Sequence, residues 1–315
     1  MNIVLAIRKI IFTVLGTALC TVFYAVFCIG LASAALAVEE IDLSTPEGAL
    51  AANRKIHCSL KDNKPIFFAW QGAVFSQRMG EPDRKLFNVS GMNVRQCIRI
   101  NGGKQGMGYR LVSREIMLYL DLETGQPLDR WQNPLTGREV GVIHVQNDPV
   151  NGRPTFPYNK SGQPSSGWKG REDSGAWFMS MTIPLFYHNV LQGAYQQYVG
   201  GAYQATEMFN FMGEIDDLVD GSQDTAQVKV GWVRLSAWLP WMEMQGREGK
   251  LYTHAAGKKV SGFEGLPDVL KTYITTKNPV YKSPPAGDDK RKNETSWTYF
   301  KKKVKGRILP FGGQK

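Results

Sequence analysis

The sequence predicts a mainly β protein: an antiparallel barrel or barrel-like curved sheet of lipocalin-like architecture, with a few short helices. Runs of alternating apolar and polar residues, rich in aromatic and β-branched side chains, recur along the 315 residues. Between Gly108 and Asn151 two similar turn sequences, Asp121–Gly125 and Asn133–Gly137, separate three such runs. Meanders of this kind build the walls of β-barrels, and no internal repeat divides the chain.

The individual elements are predicted in chain order. A helix is expected from Ser44 to about Cys58, because Ser44-Thr45-Pro46-Glu47 resembles a helix start with an early proline. The predicted strands are Ile66–Ser76, Arg84–Ile100, Leu111–Leu120, Leu128–Trp131, Val140–Gln146, Trp177–Tyr187, Tyr203–Met212 and Val228–Trp238. Short helices are predicted at Ile215–Val219 and Leu266–Ile274, a loop at Ser161–Asp173, and an extended strap beyond Asn278.

Residues 1–37 form a predicted signal peptide or N-terminal anchor. Arg8 and Lys9 are their only charges, an uncharged run follows, and Ala35-Leu36-Ala37 offers a small-residue cleavage site. The run from Ile10 to Ala37 is also long enough to span a bilayer, which needs about 20 residues. We therefore expect a periplasmic or secreted protein if the segment is cleaved, and a membrane-anchored one if it is retained.

Charge divides the rest of the chain into two parts. Residues 38–289, predicted to be a single β-rich domain, carry 27 basic and 27 acidic side chains, whereas residues 290–315 form a tail with nine basic side chains and Glu294 as the one acid. A neutral body argues against nucleic-acid binding, which needs excess positive charge along a folded face. The tail suits either a solvated end or association with an anionic membrane surface.

The cysteines and the catalytic motifs bound the chemistry. Cys20 and Cys28 lie in the leader, which leaves Cys58 and Cys97 in the body. Exported proteins can form disulfides, but the strand-like setting of Cys97 favours two separately buried thiols. The sequence has no metal-type cysteine or histidine spacing, phosphate loop, dinucleotide fingerprint or nucleophile elbow, so we expect neither a metal nor a cofactor.

Strand parity selects the catalytic candidates. Glu115 and Tyr119 share one face of the first meander strand, and His144 lies on the third. Together they would supply an acid, a base and a hydroxyl group for proton transfer. Alternatively, this face is simply the solvated side of a sheet, and His144 is a hydrogen-bonded structural residue.

Strand arginines and a large apolar set indicate the ligand. Arg95, Arg114 and Arg234 lie within predicted strands, where an arginine either pairs with a carboxylate or holds an anion, and Glu207 is the expected partner of one of them. Eight tryptophans and eleven methionines suit an adaptable core. If they line a pocket, its ligand would be flat and hydrophobic, such as an aromatic compound.

Seven sequence blocks resemble an uncharacterised family of bacterial and fungal proteins, mostly exported, the domain of unknown function numbered 1838. The blocks are Met92–Cys97, Ser113–Asp121, Trp131–Gly137, His144–Asn151, Glu207–Phe211, Trp238–Met242 and Asn293–Trp297. The resemblance covers roughly Asp42 to Lys301; it implies one exported domain and assigns no reaction. Block members with suitable side chains become candidate ligand-binding residues: Arg95, Arg114, Trp131, Asn133, Asn147, Asp148, Glu207 and Trp238.

Three functions are compatible with these predictions. The first is an enzyme that acts on a hydrophobic, aromatic small molecule by cofactor-free proton transfer. Its base would be His144 or Glu115, its proton donor Tyr119, and its anion-holding group Arg95 or Arg114. The second is a non-catalytic binder or carrier, and the third an envelope structural protein. Converging polar groups in one cavity favour the enzyme, a purely apolar cavity favours the carrier, and the lack of a cavity favours the structural role.

Overall fold

A computed structural model describes residues 40–165, 167–187, 191, 203–244 and 246–305, which belong to one compact unit. The predicted leader lies outside these residues. The strands are β1 Ile66–Gln77, β2 Arg84–Asn101, β3 Met107–Leu120, β4 Arg130–Gln132, β5 Glu139–Gly141, β6 Val145–Asn147, β7 Arg171–Asp173, β8 Ala176–Tyr187, β9 Tyr203–Glu214, β10 Lys229–Ser236 and β11 Lys250–Val260. The helices are α1 Pro46–His57, α2 Ile215–Val219, α3 Asp268–Lys277 and α4 Ser296–Lys305. No helix in the described part of the chain has the length and apolar character needed to cross a bilayer.

Nine strands form one antiparallel sheet in the order β6-β3-β2-β1-β11-β10-β9-β8-β7, while β4 and β5 pair separately. The predicted mainly β, antiparallel architecture is confirmed. Within the described residues, β6 and β7 remain edge strands, so hydrogen bonds do not close the sheet and the structure contains no closed barrel.

Helix α1 begins where the sequence predicts. The Thr45 hydroxyl accepts a hydrogen bond from the Gly48 amide at 3.0 Å, and Pro46 occupies the first turn, where its missing N–H costs nothing. Position 48 has to be glycine, because a Cβ atom there would lie 1.9 Å from the Asp42 carbonyl oxygen. The helix buries Ala52 and Ile56 completely against the sheet.

Strand β11, which joins the two halves of the sheet between β1 and β10, was not predicted. Its middle contains Ala255, Ala256 and Gly257, residues with little tendency to form strands. Gly257 pairs with Trp70, and Ala255 pairs with Trp232. Strand β1 comes close at Gly257, where a Cβ atom would lie 2.3 Å from the Ala69 carbonyl oxygen and 2.8 Å from the Trp70 Cβ atom. The glycine required here is a poor strand former, so the sequence pattern does not reveal the strand.

The third strand of the predicted meander is divided. Its first part is β5, which pairs with β4, and its last part is β6, which pairs with β3 at Glu115–Met117. His144 lies in the irregular segment between them rather than in a strand. The face-sharing predicted for residues 138–146 therefore does not extend through this region.

The two faces of the large sheet are covered differently. On one face, α3 packs Leu270 and Ile274 against apolar residues of β1, β2 and β3. On the other face, α1 contributes to one apolar cluster and the segment around Trp241 contributes to a second. The polar side chains of interest lie on this second face, which we call the cavity face.

Cys58 and Cys97 form a disulfide, with Cα atoms 5.9 Å apart. The sequence-based preference for two free thiols is therefore wrong: α1 ends beside β2, and both sulfurs are fully buried together. In the chain-entropy description, closing a loop of this length stabilises the folded state by about 4 kcal/mol.

The C-terminal segment contains a helix where a strap was predicted. Helix α4 buries Trp297 and Phe300 in the apolar cluster around Trp241, and the Tyr299 hydroxyl donates a hydrogen bond to Gln146 Oε1 at 2.6 Å. Lys302, which is largely exposed, pairs with Glu294.

Candidate ligand-binding cavity

The cavity face contains a chamber of about 200 Å³, which we call the main chamber. Strands β1, β2, β3, β9 and β10 all contribute to its wall, together with Val145 and Val150. Its polar lining consists of Asn93, Arg95, Glu115, Glu207 and Arg234, and its aromatic lining consists of Phe68, Trp70, Phe209, Phe211 and Trp232. The chamber is thus mainly apolar, with a small polar group set into its wall.

A second chamber of about 120 Å³ adjoins the first. The two share Glu115, Val150, Glu207 and Arg234 as wall residues. The rest of the second chamber is lined by Asn147, Leu185, Glu294, Thr295, Ser296 and Trp297. Glu115, Glu207 and Arg234, which we call the polar partition, therefore lie between the aromatic main chamber and the second chamber, whose wall is partly polar and partly apolar.

Glu115 is the carboxyl group at the centre of this partition. It lies on β3 directly opposite Asn147 of β6, and its Oε1 atom accepts a hydrogen bond from Asn147 Nδ2 at 2.7 Å. Desolvation raises the pKa of Glu115; nearby Glu207 acts in the same direction, while Asn147, Arg234 and Arg95 oppose the rise. A carboxyl group with a raised pKa keeps its proton to higher pH, and is a stronger base once ionised, than a solvated carboxyl group.

Glu207 and Arg234 form the second element of the partition. They are cross-strand neighbours on β9 and β10, and Arg234 Nη1 lies 2.9 Å from Glu207 Oε1. This pair bears out the prediction that Glu207 pairs with a strand arginine. The two carboxyl groups therefore have different environments: Glu207 has a cationic partner, and Glu115 has an amide.

Arg95 supplies positive charge to the main chamber from β2, the strand that pairs with β3 beside Glu115. Its Nε atom donates to Asn93 Oδ1 at 2.7 Å, and its guanidinium lies over the Phe68 ring, 4.7 Å from the centroid. Burial lowers the pKa of Arg95 to about 10, although Glu115 works against this fall. The side chain remains cationic at neutral pH and is held in place by groups that carry no charge.

Aromatic rings form most of the remaining wall. Trp70 and Trp232 meet edge to face at 6.2 Å, and Phe209 stacks beside Trp232 at 6.4 Å. The Trp70 indole lies directly over Gly91, where a Cβ atom would approach it to 2.4 Å. Glycine at this position therefore allows the ring to lie flat beside the chamber.

The family described as "Protein of unknown function (DUF1838)" matches residues 63–304, most of the chain. The chain belongs to this family. No curated protein matches the sequence. The match includes every strand of the large sheet, both chambers and helix α4 through Val304, so the cavity lies within the DUF1838 region.

The DUF1838 chain does not bring all three predicted catalytic residues to one chamber. Glu115 lines the main chamber and the second chamber, whereas Tyr119 lines a third space of about 20 Å³. His144 lines none of the three; its Nδ1 atom accepts a hydrogen bond from the Tyr119 backbone N–H at 3.1 Å, and its ring lies beside the Tyr119 ring. Burial lowers the pKa of His144 to about 4, so the imidazole is neutral at pH 7.

The predicted ligand-binding residues separate into two groups. Arg95, Asn147 and Glu207 line the chambers. Arg114 does not: its Nε atom lies 3.2 Å from Asp148 Oδ1, and its Nη1 atom donates to the Val280 carbonyl. Asp148 also pairs with Arg291 at 2.8 Å. Through Asp148, Arg114 of β3 is therefore linked to Arg291 in the segment that precedes α4.

The other three predicted ligand-binding residues also have structural contacts outside the chambers. Asn133 is fully buried, donates to the Met242 carbonyl at 2.9 Å and accepts from the Leu135 amide. Trp131 packs on Phe87 at 4.7 Å. The Trp238 indole donates to the Arg247 carbonyl at 3.0 Å.

Several residues of the cavity were not selected from the sequence. Asn93, Phe68, Trp70, Phe209 and Trp232 line the main chamber and were treated as ordinary strand residues. Strand parity would have placed Phe68 with Trp70 and Asn93 with Arg95, because each pair is two residues apart. What parity does not give is which strands lie opposite each other. Among the described residues, no cluster of three potential ligands could hold a metal ion.

Proposed function

We propose that the protein binds a hydrophobic, aromatic small molecule in the main chamber and catalyses cofactor-free proton transfer with Glu115 as the base. The observation that carries the proposal is a carboxyl group of raised pKa set into an aromatic wall, with a cationic Arg95 in the same chamber. Active-site carboxyl groups are commonly tuned by burial in this way.

The proposal includes a barrel-like curvature of the open sheet. Strands β3 and β9 stand five places apart in the sheet order, and yet Glu115 and Glu207 line the same chamber. In a flat sheet, with about 4.8 Å between strands, they would be roughly 24 Å apart. A sheet that curls around the cavity face accounts for their proximity without closing into a barrel.

The size of the main chamber limits the ligand. An engineered apolar cavity of about 150 Å³ accommodates benzene. At about 200 Å³, the main chamber suits one ring or a small fused pair of rings. The aromatic wall favours a flat ligand, because rings stack or meet edge to face at the spacings found here.

The chemistry assigned to Glu115 is enolisation. The ionised carboxylate takes a proton from a carbon next to a carbonyl group, and the electron pair of that C–H bond moves onto the carbonyl oxygen. Arg95 provides the positive charge that stabilises the resulting oxyanion. Returning the proton to the same carbon gives exchange, and returning it to a conjugated position gives an isomer.

Solvent exchange tests this proposal without knowledge of the natural substrate. The protein is incubated with 2-tetralone in D2O, deuterium incorporation is followed by NMR, and binding is followed separately by tryptophan fluorescence. We expect incorporation above the uncatalysed rate, and its loss in Glu115→Gln with 2-tetralone binding retained. If 2-tetralone binds but exchange is no faster than in buffer, the catalytic part of the proposal fails.

A carrier function is the second candidate. It is favoured by the pairing of both carboxyl groups within the protein, Glu115 with Asn147 and Glu207 with Arg234. A binder of this kind would take up 2-tetralone and related ketones with no exchange in either the wild type or Glu115→Gln. An envelope structural role has less support, because it calls for no cavity.

We further propose that the protein is exported, with residues 1–37 as its signal peptide or anchor. The buried Cys58–Cys97 disulfide supports this, because such bonds persist mainly in oxidising compartments. Cell fractionation with thiol labelling of the denatured protein tests both points. A cytoplasmic protein with two reactive thiols would contradict them.

Membrane association through the leader or the basic tail is a separate proposal. In support, Lys302 and Lys303 lie on α4, whose aromatic side chains face the body. Co-sedimentation with anionic vesicles, compared between the mature chain and its Lys302→Glu/Lys303→Glu variant, tests the role of the tail. Binding that neither salt nor the double substitution weakens would exclude the tail.

A further inference from the structure

The Asn147 side chain presents a hydrogen-bond acceptor that the described residues leave unused. Asn147 is 6% exposed and lines the second chamber. Its Nδ2 atom donates to Glu115 Oε1, but no group among the described residues donates to its buried Oδ1 atom. A buried acceptor without a donor is unfavourable, so a position of this kind favours a ligand that brings a donor.

The charges around the second chamber indicate which donor it is. Glu207 is balanced by Arg234, and Glu294 is paired with Lys302. Glu115 accepts a hydrogen bond from Asn147 and has the positive charges of Arg234 and Arg95 nearby. The chamber therefore has little uncompensated negative charge to hold an ammonium group, and Arg234 in its wall would repel one. A neutral hydroxyl group fits better than an amine.

The two chambers are contiguous, which links the donor to the aromatic ligand. Glu115, Val150, Glu207 and Arg234 line both spaces, so the two chambers lie side by side and only a short chain of atoms is needed to reach from one to the other. Leu185, Val150 and Trp297 give the second chamber an apolar wall that suits such a chain.

We propose that the second chamber is a hydroxyl-binding subsite. The ligand would then be an aromatic compound bearing a hydroxyl group on a short aliphatic arm, with its ring in the main chamber and its O–H donating to Asn147 Oδ1. This inference rests on the proposed function, from which it takes the placement of the ring, and it narrows the substrate class to aromatic alcohols.

Matched probes separate the subsite from the main chamber. Binding of 3-phenylpropan-1-ol, propylbenzene and 3-phenylpropan-1-amine is measured by quenching of tryptophan fluorescence and by calorimetry. Buried without an acceptor, the alcohol would bind more weakly than propylbenzene, because its hydroxyl would lose water and gain nothing. With the subsite, we expect the alcohol to bind about tenfold more tightly than propylbenzene, and the amine to bind more weakly than the alcohol.

Two substitutions locate the effect. Asn147→Leu should remove the preference for the alcohol while leaving propylbenzene binding in place, and Asn147→Asp, which keeps an acceptor oxygen, should retain the preference if the leucine variant does not fold. The control Phe209→Leu, in the main chamber, should weaken both probes by the same factor and leave their ratio unchanged.

The outcomes that count against each proposal are different. If propylbenzene and the alcohol both fail to bind, the aromatic chamber and hence the proposed function are wrong. If both bind equally, or the preference for the alcohol survives in Asn147→Leu, the subsite is wrong while the main chamber stands. Tighter binding of the amine than of the alcohol would overturn the assignment of a neutral donor.

Discussion

Two polar regions of this protein look alike in sequence and differ in the structure. The Glu115 cluster, made of Glu115, Asn147, Glu207 and Arg234, lies between two chambers on the cavity face. The His144 corner, made of His144, Tyr119, Trp131 and Asn133, lies beyond β6 among buried rings. Side chains in the first region pair mainly with other side chains, whereas His144 and Asn133 bond to backbone groups.

This difference indicates that the Glu115 cluster can bind a ligand, whereas the His144 corner has a structural role. His144 Nδ1 accepts from the Tyr119 amide, so its lone pair has a structural use and is not available to a substrate. Asn133 uses both ends of its amide in the same way. In the Glu115 cluster, by contrast, the buried Asn147 Oδ1 has no hydrogen-bond donor within the described part of the chain, and Glu115 lines both chambers. We therefore expect a ligand to bind where side chains have hydrogen-bonding groups that the fold does not use.

The largest expected contrast is in catalysis. Glu115→Gln removes the proposed base, and we expect the rate of deuterium exchange into 2-tetralone to fall by about 10³-fold, as is typical for loss of a general base. His144→Gln and Tyr119→Phe, in the His144 corner, should change the rate by less than about threefold. A large loss in His144→Gln, with normal folding by circular dichroism, would move the base to the other region.

The next contrast is in acid stability. Burial lowers the pKa of His144 to about 4 from 6.5, so the folded state binds fewer protons than the unfolded state between these values. The stability that neutral His144 contributes is present above pH 6.5 and is lost as the pH falls toward 4. The loss amounts to about 3 kcal/mol at pH 4.

Urea unfolding at several pH values measures this effect as the difference between the wild type and His144→Gln. The difference is needed because burial also lowers the pKa of His57, to about 3, which adds its own acid sensitivity. Wild-type stability should fall by about 3 kcal/mol more than that of the variant between pH 7 and pH 4. Parallel curves for the two proteins would contradict a neutral, buried His144.

The smallest expected effect is a shift in the pKa of Glu115, within the Glu115 cluster itself. Desolvation is the main cause of the raised pKa of Glu115, and the charge of Glu207 adds to it. Glu207→Gln removes the negative charge of Glu207. It also leaves the positive charge of Arg234 without a carboxylate partner at position 207, and both changes should lower the pKa of Glu115. The midpoint of the pH profile of exchange should move to lower pH. A matched Glu243→Gln variant, whose carboxyl pairs with Arg138 outside the chambers, should leave the midpoint unchanged.

Local patterns were sufficient for much of the fold and for part of the site. The first helix and the long strands β1, β2, β3, β8, β9 and β10 follow from capping residues and alternation. Glu115 was selected from strand parity, and Arg95 and Glu207 from the need of strand charges for a partner or a ligand, whereas Asn147 was selected only as a member of a block that resembles the family. Each of these inferences depends on residues close together in the sequence.

What could not be predicted depends on distant pairing. Strand β11 is hard to recognise because Ala255, Ala256 and Gly257 are poor strand formers, and the need for glycine at 257 comes from β1, which lies far away in the sequence. The placement of His144 outside the chambers depends on the break between β5 and β6, where the chain leaves one sheet for another. The juxtaposition of Glu115 with Glu207 depends on a sheet order that no single strand reveals.

The Cys58–Cys97 bond has a consequence for the order in which the sheet is assembled. It links residues 39 positions apart, and the loop that it closes contains β1 and most of β2, strands that also pair directly with each other. The other partner of β1 is β11, which follows about 180 residues later in the chain. Once formed, the bond holds the first hairpin and α1 together whether or not that distant strand has paired with β1. The wall that holds Phe68 and Arg95 can therefore form as a local unit, to which the rest of the cavity is added.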